Sequence, residues 1–109
     1  MLELWQTEWC PTSHRVRERP TELGIDYLTR QVPVDKEQRT ALLAASGSDV
    51  IPALALDDGA ALFGEDAIDA WLNTHVSEPP GAEEHRLKAA KARRRYLEEG
   101  CECLQPATR

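Results

Sequence analysis

Apolar and polar residues alternate over residues 2–7, LELWQT, the period of a strand with one buried face. Helical spacing follows. Pro11 supplies the fixed φ of a first helical turn, Thr12 and Ser13 suit a helix start, and Gly24 suits a stop, so PTSHRVRERPTELG reads as the first helix. Val16 and Leu23 share its apolar stripe. Pro20 lies between them without an N–H for the Val16 carbonyl, which predicts a kink, or a helix that stops and restarts at Thr21. IDYLTRQVPV is a second strand, whose end Pro33 places at an edge or an exit. DKEQRTALLAASG is a second helix, with Asp35 as N-cap and Gly47 as stop. Two short apolar runs then flank Asp57-Asp58-Gly59, a strong hairpin signal. EDAIDAWLNTH is a third helix, with Ile68, Trp71 and Leu72 on one stripe.

The prolines and glycine of VSEPPGAEE break the pattern at a linker. Residues 82–99 read as a last helix, with Glu83 and Glu84 early and bases later, as the helix dipole favours. Its apolar stripe (Leu87, Ala90, Leu97) is thin, so it is expected to dock lightly or to pack on another molecule. GCECLQPATR reads as a frayed, flexible tail. The order β-α-β-α-β-β-α plus one C-terminal helix predicts an α/β fold around a four-stranded mixed sheet, parallel at the crossovers and antiparallel at the hairpin. Residues 1–78 form the domain; 79–109 add linker, helix and tail to the same compact unit.

A length of 109 residues fits one domain with a core of its own. Apolar runs fall far short of the ~20 residues of a membrane span, so no membrane is expected as partner. The amino terminus lacks the basic start and apolar stretch of a secretory signal, which places the chain in the cytoplasm. A net charge of −6 argues against nucleic acid as partner. That charge is uneven: the bases of HRLKAAKARRR make either a solvated helix face or a handle for an acidic partner.

Three cysteines, Cys10, Cys101 and Cys103, do not make the disulfide framework of a small secreted domain. Cys10 sits at the junction of the first strand and the first helix. Free N–H groups of Thr12 and Ser13, the helix dipole, His14 and Arg15 all favour a thiolate there, and Glu8 opposes it. The dipole supplies only ~0.3–1 kcal/mol at exposed sites, so direct hydrogen bonds must carry much of the effect. The competing reading is a buried apolar cysteine. Cys101 and Cys103 are either plain tail thiols or partners that resolve Cys10. Their spacing is too tight for usual zinc pairs, and the three histidines have no ligand spacing, so no metal is expected.

The segment WCPTSHRVRERPTELGIDY resembles the active-site segment of glutaredoxins and of the amino-terminal domain of cysteine-type glutathione transferases. VIPAL resembles the strand start where those families carry a cis-proline, here Pro52. LFGEDAIDAWL resembles the start of their third helix. The likeness covers residues 1 to 75 and implies a thioredoxin-like, glutaredoxin-type fold. It implies Cys10 as nucleophile, with Pro11 and Ser13 completing the catalytic motif and Thr12 beside the ligand. Ile51, before Pro52, would pair its backbone with the cysteinyl part of glutathione, and Glu65 and Asp66 would hold the γ-glutamyl end. A helix amino terminus and two acids suit a carboxylate and an ammonium group, though the same acids also suit simple capping.

The chain departs from those families at some positions. Thr7 stands where glutaredoxins commonly carry a lysine, leaving Arg39 or Arg15 for the glycine carboxylate. Thr12 replaces an aromatic residue, with Trp9 as the alternative apolar wall. Ser13 replaces the second cysteine of a C-x-x-C pair, which leaves a one-thiol route. Pro11 and Thr12 stand where cluster-binding relatives carry glycine and phenylalanine. The resemblance thus implies a one-cysteine thiol–disulfide oxidoreductase that reduces mixed disulfides, on a thiol-modified protein or a small disulfide, with glutathione or another small thiol as co-substrate. The alternatives are a glutathione-transferase-like attack on an electrophile and a non-catalytic redox sensor or adaptor. Transferases follow this domain with a large helical domain; with few residues after His75, an electrophile site would need a homodimer for its second wall.

Overall fold

The structure, a computed structural model, describes residues 1–100. The chain divides into two units, Met1–Pro79 and a second that starts at Pro80. In the first unit, strands β1 (Glu3–Gln6), β2 (Leu28–Gln31), β3 (Ala53–Ala55) and β4 (Ala61–Phe63) form one sheet in the order β2-β1-β3-β4. β1 runs parallel to β2 and antiparallel to β3, and β3 pairs antiparallel with β4. Helices α1 (Pro11–Leu23), α2 (Thr40–Ser46) and α3 (Glu65–His75) complete the unit. This is the thioredoxin-like arrangement that the element order implies. The second unit contains α4 (Ala82–Glu99), which begins after Gly81 with Glu83 and Glu84 in its first turn. Among the described residues, no helix is long and apolar enough to cross a membrane.

The alternation in LELWQT sorts residues between two faces of the sheet. Leu4, Leu54 and Leu62 align across three strands. That row packs with Val16 and Leu23 of α1 and Ile68 and Leu72 of α3 in the larger core. Trp5, Ala53 and Phe63 align on the opposite face and pack with Val32 and with Leu42 of α2. β2 is an edge strand with every residue exposed, as an exit marked by Pro33 suggests. At the hairpin, the Leu56 amide donates to the Ala60 carbonyl (2.8 Å), and Gly59 takes the positive φ (89°) of the turn.

Two expectations need correction. Helix α1 does not stop at Pro20 and restart at Thr21; it runs on to Leu23. Pro20 lies close to the helix end, where its missing N–H costs one hydrogen bond, and its ring is buried on the core stripe. The Thr21 hydroxyl donates to the Arg17 carbonyl (3.1 Å) and the Ile25 amide to the Pro20 carbonyl (3.1 Å), so the last turn is closed by other donors. The second helix does not start at Asp35 either. A 3₁₀ turn, Lys36–Gln38, comes first, Asp35 makes no side-chain cap, and α2 begins only at Thr40.

Arg39 explains the interruption. Its backbone leaves helical geometry (φ −82°, ψ 45°), and its buried guanidinium donates to three carbonyls: Pro33 (2.9 Å), Val34 (3.0 Å) and Asp49 (2.9 Å). One side chain thus fastens the exit of β2 to the loop that enters β3.

Two substitutions test this account. Leu72→Ala, at a fully buried position, is expected to cost about 3 kcal/mol in urea unfolding. Arg39→Met is expected to cost about 2–3 kcal/mol, because three carbonyls lose a charged donor, and Arg39→Lys is expected to recover only part, since an ammonium cannot reproduce the fork.

Candidate functional site

The register gathers the chain segments that carry the candidate residues at one end of the sheet. Trp5, Ala53 and Phe63 are paired across β1, β3 and β4. One residue beyond that row come Gln6, the last residue of β1, and Pro52 and Gly64, just outside β3 and β4. β1 therefore delivers the chain to Cys10 and α1, and β4 delivers it to α3, at the same end where β3 begins. The Gly64 amide donates to the Pro52 carbonyl (2.9 Å), which locks two of these segments together. The Ile51–Pro52 peptide is cis.

Cys10 is the N-cap of α1. Its backbone is extended (φ −76°, ψ 119°), and its Sγ accepts the Ser13 amide at 3.4 Å. Pro11 occupies the first turn, where its missing N–H costs nothing. The sulfur is partly exposed and not disulfide-bonded. Partial burial opposes the thiolate, but the hydroxyl and amide of Ser13, then the amide and hydroxyl of Thr12, outweigh it and hold the Cys10 thiol below the usual cysteine range. Cys10 is half-buried, not enclosed in the core.

Ser13 is fully buried, and its hydroxyl oxygen accepts the Thr7 amide (3.4 Å). The Cys10 amide donates to the Thr7 carbonyl (3.4 Å), so the loop between β1 and α1 closes on the first helical turn. Thr7 is itself buried, its Oγ1 without a partner among the described residues. It is a loop anchor and offers no cation where glutaredoxins commonly have one. Trp9 is exposed beside Cys10.

Glu65 and Asp66 stand in the first turn of α3. Neither caps the helix by side chain; its N-cap is Gly64. Glu65 instead reaches across to α1 and accepts Arg15 Nε at 2.8 Å. Arg15 Nη2 also donates to Thr12 Oγ1 (3.2 Å). Glu65, together with the negative charge that Cys10 carries once ionised, raises the pKa of Arg15 above the ordinary guanidinium value. Cys10, Thr12, Ser13 and Glu65 thus belong to one connected cluster. Ile51 and Pro52 lie at the same sheet end. Cys101 and Cys103 lie outside the described residues. Arg39 is committed to carbonyls, as above.

The Arg15–Glu65 bond was not legible beforehand. The two residues are fifty positions apart, and the only signal was that both flank helix starts. A second such group is Gln6. It is fully buried, with Nε2 donating to Glu8 Oε1 (2.9 Å) and Gln31 Oε1 (3.1 Å) and Oε1 accepting from Arg17. A polar residue at an inward strand position was the available hint.

The glutathione S-transferase N-terminal domain family matches residues 9–75, more than half of the chain. No curated protein sequence matches. Similar solved structures include glutathione S-transferase unclassified 2 from Bombyx mori (21% identity, 72% of this chain and 37% of that one, TM-score 0.62). A glutathione transferase homologue from Sulfitobacter, with bound glutathione, shares 21% identity over 91% of this chain and 49% of that one (TM-score 0.61). The glutaredoxin grx-1 from Archaeoglobus fulgidus shares 18% identity over 66% of this chain and 85% of that one (TM-score 0.52). At these identities the structures speak for the fold alone. The chain spans about half or less of those two transferase structures. Sequence match and sheet topology agree: the chain belongs to the glutathione S-transferase N-terminal domain family.

Proposed function

We propose that this chain binds glutathione or an equivalent small thiol and uses Cys10 to exchange disulfides by a one-thiol route. The observation that carries the reading is the Ser13 amide on Cys10 Sγ at the head of α1, with Ser13 where a second thiol would otherwise stand. A thiolate held there is both charged and reachable.

The chemistry follows from those two facts. The Cys10 thiolate attacks the glutathionyl sulfur of a mixed disulfide. The S–S bond breaks, its electron pair leaves on the departing thiolate, and that thiolate takes a proton from solvent. Cys10 is left joined to glutathione. A second glutathione, as thiolate, attacks the glutathionyl sulfur, frees the Cys10 thiolate and leaves oxidised glutathione. The Ser13 and Thr12 donors stabilise the sulfur anion as leaving group in the second step.

For the ligand, Ile51 offers backbone groups to the cysteinyl part. The amino terminus of α3 offers N–H groups to the γ-glutamyl carboxylate, with Glu65 and Asp66 toward the ammonium. Arg15 beside Glu65 means that this end of the site presents both signs of charge, as a γ-glutamyl end does. This chemistry belongs to a reducing, cytoplasmic setting. A second reading, attack of a bound thiolate on an electrophile, is favoured by the family match.

Cys10→Ser is expected to abolish turnover of a glutathione mixed disulfide, while a Cys101→Ser/Cys103→Ser double variant keeps it. Turnover only with electrophiles would decide for the second reading. Because the folded-state pKa of Cys10 is lowered, the alkylation rate is expected to rise with pH and level off below the pH at which a free cysteine levels off. Ser13→Ala, which removes a donor to the sulfur, is expected to move that rise to higher pH.

A further inference from the structure

Arg15 is a surface residue whose side chain is about half exposed, and surface ion pairs are usually worth little. Its geometry gives it another task. The Nε group is fixed on Glu65 of α3 (2.8 Å), and Nη2 points at Thr12 Oγ1 (3.2 Å). A threonine hydroxyl has one hydrogen to give and an oxygen that accepts. With its oxygen occupied by Arg15, the hydroxyl can spend its single hydrogen on the neighbouring Cys10 sulfur. Ser13 has the same arrangement: its oxygen accepts the Thr7 amide (3.4 Å), which leaves its single hydrogen free to be given. Both hydroxyls beside Cys10 are therefore oriented from behind, one by backbone and one by Arg15.

We propose that Arg15 is a positioning residue for Cys10: held by Glu65, it turns the Thr12 hydroxyl toward the sulfur. It rests on the reading of Cys10 as the working thiol. Arg15 also feels the Cys10 charge directly, but Glu65 beside it offsets that field, so the influence runs mainly through the directed bond to Thr12. Near the start of α1, His14 pairs with Glu18 (2.9 Å) and Arg17 with Glu8 (3.5 Å), so these groups have partners outside this chain of bonds. The arrangement links the start of α3, where the γ-glutamyl end is expected, to the nucleophile through three side chains.

The test uses the intact chain without added glutathione, with iodoacetamide alkylation and ultraviolet thiolate absorbance read against pH. Arg15→Gln and Thr12→Val are each expected to move the Cys10 titration upward and to slow alkylation below its midpoint about threefold. The double variant is expected to be no slower than Thr12→Val alone, and Thr12→Ser, which keeps the hydroxyl, is expected to keep the wild-type titration. A role in stability alone would leave the titration unmoved. An unmoved titration in Arg15→Gln, or losses that simply multiply in the double variant, would overturn the proposal. A wild-type thiol that titrates like free cysteine would overturn both this inference and the thiolate reading beneath it, whereas an acidic wild-type thiol untouched by Arg15→Gln would overturn only the inference.

Discussion

The first-turn amides of α1 have no carbonyls to bind within the helix, and Cys10 is the residue that answers them. Its sulfur accepts the Ser13 amide, and its backbone amide is tied to Thr7. That contact needs the chain to leave β1, turn over a few residues and start a helix at a fixed place. Leu4 and Val16 in the core on one side of the turn, and Gln6 and Ser13 buried at its base, fix that place. The cost of ordering the loop is met by burial that has nothing to do with the sulfur. The sulfur is left partly exposed at the end of a rigid element.

The rest of the site is delivered by the same economy of position. Pairing of Trp5, Ala53 and Phe63 brings the start of β3 and the end of β4 beside the end of β1. Arg39 then holds the Asp49 carbonyl, two residues before Ile51, and so steadies the approach to Pro52 from the α2 side. Arg15 and Glu65 join the start of α3 to the start of α1. Neither arginine needs to touch a ligand to matter: Arg39 restrains the loops on either side of α2, and Arg15 ties the first turn of α3 to α1.

What the sequence made legible is local. The proline and hydroxyl residues after Cys10 mark a helix start, Asp57-Asp58-Gly59 marks the hairpin, and the spacing of Ile68 and Leu72 marks the buried face of α3. Each rests on neighbours within a few positions. The cis peptide at Pro52 was legible only through family resemblance, because propensity alone favours trans. The interruption of α2 was not legible, because it is caused by a side chain that binds carbonyls six and ten positions away. Pro20 misled for the opposite reason. A proline penalty is set by position within a helix, and with Gly24 as the stop Pro20 falls in the last turn, where one lost bond does not break the helix.

Ser13 shows why a one-thiol motif is a coherent design rather than a reduced one. A second sulfur at this buried position would be a weak acceptor for the Thr7 amide and a weak donor to Cys10. The hydroxyl does both well. It closes the loop through its oxygen and leaves its hydrogen to favour the charged form of the neighbouring thiol. A dithiol gains an internal resolving group but gives up part of that support, and its nucleophile can be consumed by its own partner. With serine, a sulfur adduct on Cys10 would have no such escape within the motif, so on the proposed one-thiol route its release would fall to a thiol from outside the motif.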